Sequence, residues 1–117
     1  MRPLLVATTN AGKFQEISDF FAPLRVPLRS LRDFPRVPCI EETGDTFIEN
    51  AMIKARAYFS YTNLPTLADD GGLAIDALGG APGVHTHRWA GHTMTDWELI
   101  DYTLLRLRDV PAVERTA

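Results

Sequence analysis

An apolar run from Leu64 to Ala68 constrains the fold most, because two adjacent carboxylates and then two glycines follow it directly. This order predicts a buried strand that ends in a sharp turn. In open α/β sheets, ligands bind beyond the carboxyl ends of the strands, so Asp69 and Asp70 are expected at a binding edge. Adjacent strand residues point to opposite faces, which predicts different roles for the two acids. A solvated turn is the alternative, since Asp and Gly are common turn residues.

The start of the chain has the order strand, polar loop and helix. Residues 4–7 are apolar and predict a short buried strand, and residues 8–13 form a polar loop. The helix that follows is expected to bury a stripe of Phe14, Ile17, Phe20 and Phe21. Backbone N–H groups at such a helix start can hold an anion, and Lys13 in the first turn makes sense if a phosphate lies nearby. A surface lysine is the simpler alternative, because the loop does not match a Walker A motif.

A second helix is predicted to begin at Thr46, which has capping-box spacing to Glu49. Its buried stripe is expected to consist of Ile48, Met52, Ala55 and Phe59. Asn50 and Lys54 are four positions apart, so they are expected on a separate polar face, from which Lys54 can reach a site. An ordinary solvated helix face is the alternative.

The segment between these helices has no clear period, which predicts an irregular connection with one short strand near residues 28–31. Glu41 and Glu42 lie at its end, in a loop. Hard ions such as Mg²⁺ bind carboxylate oxygens, so both acids are candidate metal ligands. Solubilising charge is an equal alternative.

Beyond the acidic turn, residues 73–78 alternate weakly and predict a second strand, paired as a hairpin. Residues 79–83 are rich in glycine and predict a tight loop. Thr95 and Glu98 form a further capping box, which predicts a third helix. The expected buried stripe of that helix is Trp97, Ile100, Leu104 and Leu107.

Between the glycine loop and the third helix lie two histidines and an arginine. His85 and His87 would share one face of a strand, but no cysteine or third spaced histidine completes a zinc set. Arg88 is the better candidate for a phosphate contact, because its guanidinium group matches phosphate oxygens.

Composition limits the classes of function. A chain of 117 residues is long enough for one domain with a core and too short for two. The net charge of −3 argues against a nucleic acid polymer or an acidic membrane as partner. Cys39 is the single cysteine, which excludes an intrachain disulfide and suits a reducing cytoplasm. No apolar segment is long enough for a signal-peptide core or a membrane span.

Three blocks together resemble the Ham1 family, whose members are inosine triphosphate (XTP/dITP) pyrophosphatases. They are residues 7–13, residues 41–55 and residues 68–88. The resemblance covers nearly the whole chain. It implies an α/β fold with a mixed, twisted sheet flanked by helices, similar to the Maf-like and anticodon-binding architectures, with residues 1–117 forming the N-terminal part of one family domain.

The resemblance also implies a reaction. Family members hydrolyse ITP, dITP and XTP between the α- and β-phosphates, use Mg²⁺, and usually form homodimers. Glu41 and Asp70 match metal ligands, Asp70 also matches a proton acceptor, and Asp69 matches the neighbouring acid of the pair. The positions that match substrate contacts are Thr8, Thr9, Asn10, Lys13, Lys54, Gly71 and Arg88.

The sequence departs from the family pattern in three places. Gly71 stands where the family usually has serine, and Thr86-His87 stand before Arg88 where Ser-Ala is frequent. The family pattern continues beyond Ala117 into segments that carry much of the purine recognition, so the domain is expected to be incomplete at its C-terminus. An unfinished sheet would expose a strand edge, which favours pairing with another chain. The alternatives are therefore a non-catalytic nucleotide-binding or assembly domain, or a Maf-like pyrophosphatase of different selectivity.

Overall fold

Three short strands form a parallel sheet in the order β2-β1-β3. They are β1 (Leu4–Val6), β2 (Leu28–Ser30) and β3 (Thr66–Leu67), so three of the four predicted strands are confirmed, each shorter than expected. Because the strands are parallel, their carboxyl ends meet at one edge. The computed structural model describes all residues from Met1 to Ala117, and it divides into two compact units, residues 1–70 and 71–117. The sheet belongs to the first unit, and the single domain predicted for residues 1–117 stays a prediction.

Three α-helices accompany the strands: α1 (Ala11–Phe21), α2 (Phe47–Thr62) and α3 (Asp96–Arg106). The two predicted caps are confirmed, since the hydroxyls of Thr46 and Thr95 accept the backbone N–H groups of Glu49 and Glu98. The predicted α/β class is confirmed as well, with helices flanking the parallel sheet. None of the helices is long and apolar enough to cross a membrane.

The core of the first unit contains side chains from the sheet region and from α2. Leu5, Ala7, Leu31 and Tyr58 form its buried cluster, and Phe34, Val37, Ile40, Leu64 and Ala68 pack against it. On α1, the stripe is confirmed as half-buried at Phe14, Ile17 and Phe21. Phe20 was expected to widen that stripe, but its residue surface is 74% exposed.

The buried face of α2 is the opposite of the one predicted. Asn50 and Tyr58 are buried, with 1% and 6% of their surface exposed, whereas Ile48, Met52 and Phe59 are exposed. The polar face is buried in place of the apolar one because the segment before the helix offers hydrogen-bonding groups to it. The expected stripe is therefore wrong, as is the alternative of a solvated polar face, because Asn50 and Lys54 turn toward the protein.

In the second unit, residues 73–78 do not form the predicted hairpin strand. Ala74 makes one antiparallel bridge, to Pro82, and a 3-10 turn follows over Asp76–Leu78. Backbone groups that a strand would offer to a neighbour are used inside this turn, which Gly79 ends with a φ of +66°. The tight glycine loop at residues 79–83 is confirmed, with three glycines at positive φ.

Two further expectations for the second unit are wrong. His85 and His87 lie on a 3-10 helix, Gly83–Arg88, and not on a strand. On α3, the expected stripe is exposed at Trp97, Ile100 and Leu104. Leu107, just beyond the helix end, is its one buried member.

Candidate active site

An acid and a lysine from distant parts of the chain meet at the carboxyl edge of the sheet. Asp69 follows β3, and Lys13 lies in the first turn of α1, which the loop after β1 leads into. Lys13 Nζ donates to Asp69 Oδ2 at 2.8 Å across a sequence separation of 56 residues. Both side chains remain almost half exposed, so this ion pair is open to solvent and to ligands.

Asp70, the next residue, has different surroundings. Its Oδ2 atom is buried and has no hydrogen-bond partner. An unpaired buried carboxylate oxygen costs free energy, so a site that keeps one has a use for a cation or a proton donor there. Asp69 faces a lysine while Asp70 does not, which agrees with the alternation of side chains along an extended chain.

The loop after β1 presents a helix start with free N–H groups. Asn10 caps α1 by accepting the N–H of Lys13 at 3.1 Å, and Thr8 Oγ1 accepts the N–H of Asn10 at 3.1 Å. The N–H groups of Ala11 and Gly12 have no acceptor within the chain. A helix N-terminus with unsatisfied N–H groups attracts anions, and the ammonium group of Lys13 adds a full positive charge beside it.

A cleft of about 460 Å³ opens next to this loop. Thr9, which is exposed, forms part of its wall. The remaining lining residues are Leu31, Arg32, Val37, Pro38, Cys39 and Tyr58. The cleft therefore extends from the loop after β1 to the segment that precedes α2.

The second lysine is also paired with a carboxylate. Lys54 Nζ lies 3.3 Å from Glu42 Oε1, and the side chain of Lys54 is only 16% exposed. Glu41, by contrast, is exposed and makes no hydrogen bond or ion pair. The structure thus joins Lys13 to Asp69 and Lys54 to Glu42, and no contact joins Glu41 to any other predicted site residue.

Sequence reasoning missed the residues that hold the loop of Glu41 and Glu42. Tyr58 donates its hydroxyl hydrogen to the carbonyl of Pro38, and Asn50 accepts the N–H of Gly44. The signal was present, because Asn50, Lys54 and Tyr58 recur every four residues. Burial raises the pKa of the Tyr58 hydroxyl, and electrostatic interactions with the nearby side chains of Cys39 and Glu42 add to this effect.

The carboxylates near the sheet edge suit a hard cation that keeps some of its coordinated water molecules. No three residues of the types His, Cys, Asp and Glu lie together as a complete metal site. Mg²⁺ is usually held by one or two carboxylates and completes its octahedron with water and phosphate oxygens. The unpaired buried oxygen of Asp70 fits such an ion, and the metal role of Glu41, which no contact joins to Asp70, stays a prediction.

Two predicted site residues belong to the second unit. Arg88 ends the 3-10 helix Gly83–Arg88 and is exposed. At Gly71, an added Cβ would meet nothing within 4 Å, so the serine usual in the family would fit there without a clash. The roles of both residues stay predictions.

These features define the class: an α/β protein whose parallel sheet ends in an acidic pair beside a lysine-bearing helix start. Residues 4–117 match the model of the Ham1 family, and the chain belongs to that family. The predicted resemblance is confirmed.

Relatives of known name and structure agree with this assignment. The dITP/XTP pyrophosphatases of Geobacillus kaustophilus and Geobacter sulfurreducens are each 47% identical over 117 residues, which is all of this chain and 57% and 59% of theirs. The structure of a HAM1 protein from Coxiella burnetii matches with a TM-score of 0.83 at 44% identity, over 93% of this chain and 55% of that one. This chain therefore spans little more than half the length of the relatives it matches.

Proposed function

We propose that the chain carries the phosphate and metal part of a Mg²⁺-dependent nucleoside triphosphate pyrophosphatase. The substrates would be ITP, dITP and XTP, and the products a monophosphate and pyrophosphate, so that non-standard purine nucleotides are removed from the cytoplasmic pool. The buried, unpaired Oδ2 of Asp70 carries the proposal, together with the names of the relatives. The free thiol of Cys39 suits a reducing compartment.

Lys13 is the principal phosphate ligand in this proposal. Cleavage of a triphosphate depends mainly on positioning and on neutralising negative charge. The ammonium group of Lys13 is held at the helix start by Asp69, in a pair open to solvent. A phosphate that reaches the N–H groups of Ala11 and Gly12 can therefore take the place of Asp69 beside Lys13 without disturbing the core. Asp69 acts by keeping Lys13 in place.

Asp70 and Glu41 are the proposed ligands of Mg²⁺. Bound there, the ion would neutralise phosphate charge and make its coordinated water a stronger nucleophile. With one oxygen of Asp70 holding the ion, the other oxygen of the same carboxylate is the proposed acceptor of a proton from the attacking water. Lys54 orients Glu42 and its loop in this proposal, and its remaining N–H donors are available to the phosphates.

We also propose that the protein forms a homodimer. The outer strands β2 and β3 each have one unpaired edge, and Ile48 and Phe59 expose apolar surface on α2. Light scattering of the purified protein at several concentrations tests this, and a monomer mass throughout would contradict it.

The reaction is tested by pyrophosphate release from ITP, dITP, XTP, GTP and dTTP, with and without Mg²⁺. We expect release from the first three nucleotides only, and only with Mg²⁺. Release from all five would replace purine selectivity with a broader, Maf-like specificity. If a cooperatively unfolding, and therefore folded, chain releases pyrophosphate from none of these nucleotides, it is a nucleotide-binding or assembly domain. The Asp70→Asn variant serves as the inactive control.

A further inference from the structure

Asn50 is the most deeply buried polar residue of the chain, with 1% of its surface exposed. It lies in the first turns of α2, on the same face as Lys54 and Tyr58. Its Oδ1 atom accepts the backbone N–H of Gly44 at 2.7 Å. A buried amide side chain is expensive unless it is hydrogen-bonded, so this contact fixes both partners.

The segment on the other side of this contact has no structure of its own. Residues 35–45 make no hydrogen bond between backbone groups, so their path depends on side chains. Side chains of α2 supply the contacts in antiparallel order: Tyr61 with Pro35, Tyr58 with Pro38, Lys54 with Glu42, and Asn50 with Gly44. Glu41 lies between the contacts at Pro38 and Glu42 and makes none itself.

The junction at Gly44 leaves no room for a side chain. A Cβ atom there would lie 2.7 Å from Asn50 Oδ1 and 2.7 Å from Glu49 Cβ. Both distances are far below van der Waals contact, so any larger residue must push the loop away from α2. The glycine therefore permits the close approach that the Asn50 hydrogen bond requires.

We propose that Asn50 is a positioning residue that sets the affinity of the site for a divalent cation by fixing the loop of Glu41. This inference rests on the proposed function, in which Glu41 is a metal ligand. Groups that orient a ligand without touching the metal commonly govern metal affinity, because a free ligand must first lose its conformational entropy. Asn50 performs this task through the backbone of Gly44, three residues after Glu41.

The test is the binding of Mn²⁺ alone, measured by the electron paramagnetic resonance signal of the free ion. We expect Asn50→Ala to raise the dissociation constant about tenfold or more. In turnover of ITP, we expect the Mg²⁺ concentration for half-activation to rise by a similar factor, while kcat at saturating Mg²⁺ falls by less than about threefold. A purely structural defect would lower kcat as well, and would leave metal affinity unchanged in the folded fraction.

Two further variants make the result decisive. Gly44→Ala pushes the same junction apart from the loop side, so it should weaken Mn²⁺ binding like Asn50→Ala, and it decides the question if Asn50→Ala does not fold. Tyr61→Phe removes the hydroxyl contact at the far end of the segment and should leave Mn²⁺ affinity unchanged.

The outcomes separate this inference from the proposed function. Wild-type protein that binds no Mn²⁺ would overturn the metal site itself. Wild-type protein that binds Mn²⁺, with equal affinity in folded Asn50→Ala or Gly44→Ala, would overturn only the role of Asn50. An equal loss of affinity in Tyr61→Phe would also overturn it, because the far end of the segment would then control the metal as strongly as the Gly44 end.

Discussion

The two lysines of the chain, Lys13 and Lys54, both form ion pairs, but the two pairs differ in how far they are exposed to solvent. Each is paired with a carboxylate from another part of the chain, Asp69 in one case and Glu42 in the other. At the carboxyl edge of the sheet, the side chains of Lys13 and Asp69 are 43% and 46% exposed. On α2, the side chain of Lys54 is only 16% exposed, and the neighbouring residues on its face bind the same loop.

The difference indicates which lysine is available to a ligand. An exposed ion pair contributes about 0.2–1 kcal/mol to stability, so exchanging Asp69 for a phosphate costs the fold little. If Lys54 leaves Glu42, a loop without backbone hydrogen bonds loses one of the few side-chain contacts that hold it. The edge region is thus built to exchange partners, and the α2 region to keep them.

Within the edge region, the largest expected effect separates the two neighbouring acids. Asp70→Asn should lower the turnover of ITP on the order of 10³-fold, because the amide is a poor proton acceptor and a poor metal ligand. Asp69→Asn, the same change one position earlier, should cost far less, since it loses only the ion pair with Lys13. Equal losses in steady-state kinetics would break the distinction between the two acids.

The next effect concerns the exchangeable lysine. Lys13→Met should lower kcat/KM for ITP about 10²-fold, since a positive charge beside the phosphates is lost. Lys13→Arg keeps the charge and should retain part of the activity. Inhibition by pyrophosphate should weaken in Lys13→Met, and unchanged inhibition would show that phosphates do not bind at the start of α1.

A smaller change in rate, and a larger one in stability, is expected at the second lysine. Lys54→Met should lower the melting temperature more than Lys13→Met, because Glu42 loses its partner in a less exposed place. Its affinity for Mn²⁺ should fall about tenfold, as the loop of the two glutamates loosens. A variant that melts like the wild type and binds Mn²⁺ normally would remove the contrast between the regions.

The smallest effect is a loss of stability in alkali. Burial raises the pKa of Tyr58, first of all, so the folded state holds this proton more tightly than the unfolded state. The stabilisation is therefore complete below about pH 10, where an unfolded tyrosine titrates, and it is lost as the pH rises through the folded value. Tyrosinate absorbance should show one of the three tyrosines titrating late, and Tyr58→Phe should abolish that late step.

Local signals predicted much of the fold. Helix starts at Thr46 and Thr95 follow from a hydroxyl placed three residues before a free N–H, a contact that needs no distant partner. The strands β1 and β3 and the Asp69-Asp70 edge follow from short apolar runs that end in polar residues, whereas β2 has no such signal. The strand predicted at residues 73–78 is wrong because their backbone hydrogen bonds form within a turn. Weak alternation of apolar residues does not distinguish such a turn from a strand.

The parts of the site that sequence could not predict depend on distant partners. The stripe on α2 was assigned by polarity alone, but Asn50 and Tyr58 are buried because Gly44 and Pro38 satisfy them. The pairing of Lys54 with Glu42, and not with Glu41, is likewise a property of the folded loop. Lys13 and Asp69 are 56 residues apart, so only the parallel register of β1 and β3 brings them together.

Because residues 36–43 make no hydrogen bonds between backbone groups, their amides should exchange rapidly in deuterium-labelling experiments. This exchange is fast although side chains of α2 pin the course of the segment, because protection requires an acceptor for each N–H and not merely a fixed position. The amides of Gly44, bonded to Asn50, and of Asp45, bonded to Glu49, will stand out as slow beside those of residues 36–43. Rapid labelling here thus reports absent acceptors, and it does not by itself show that the course of the segment is variable.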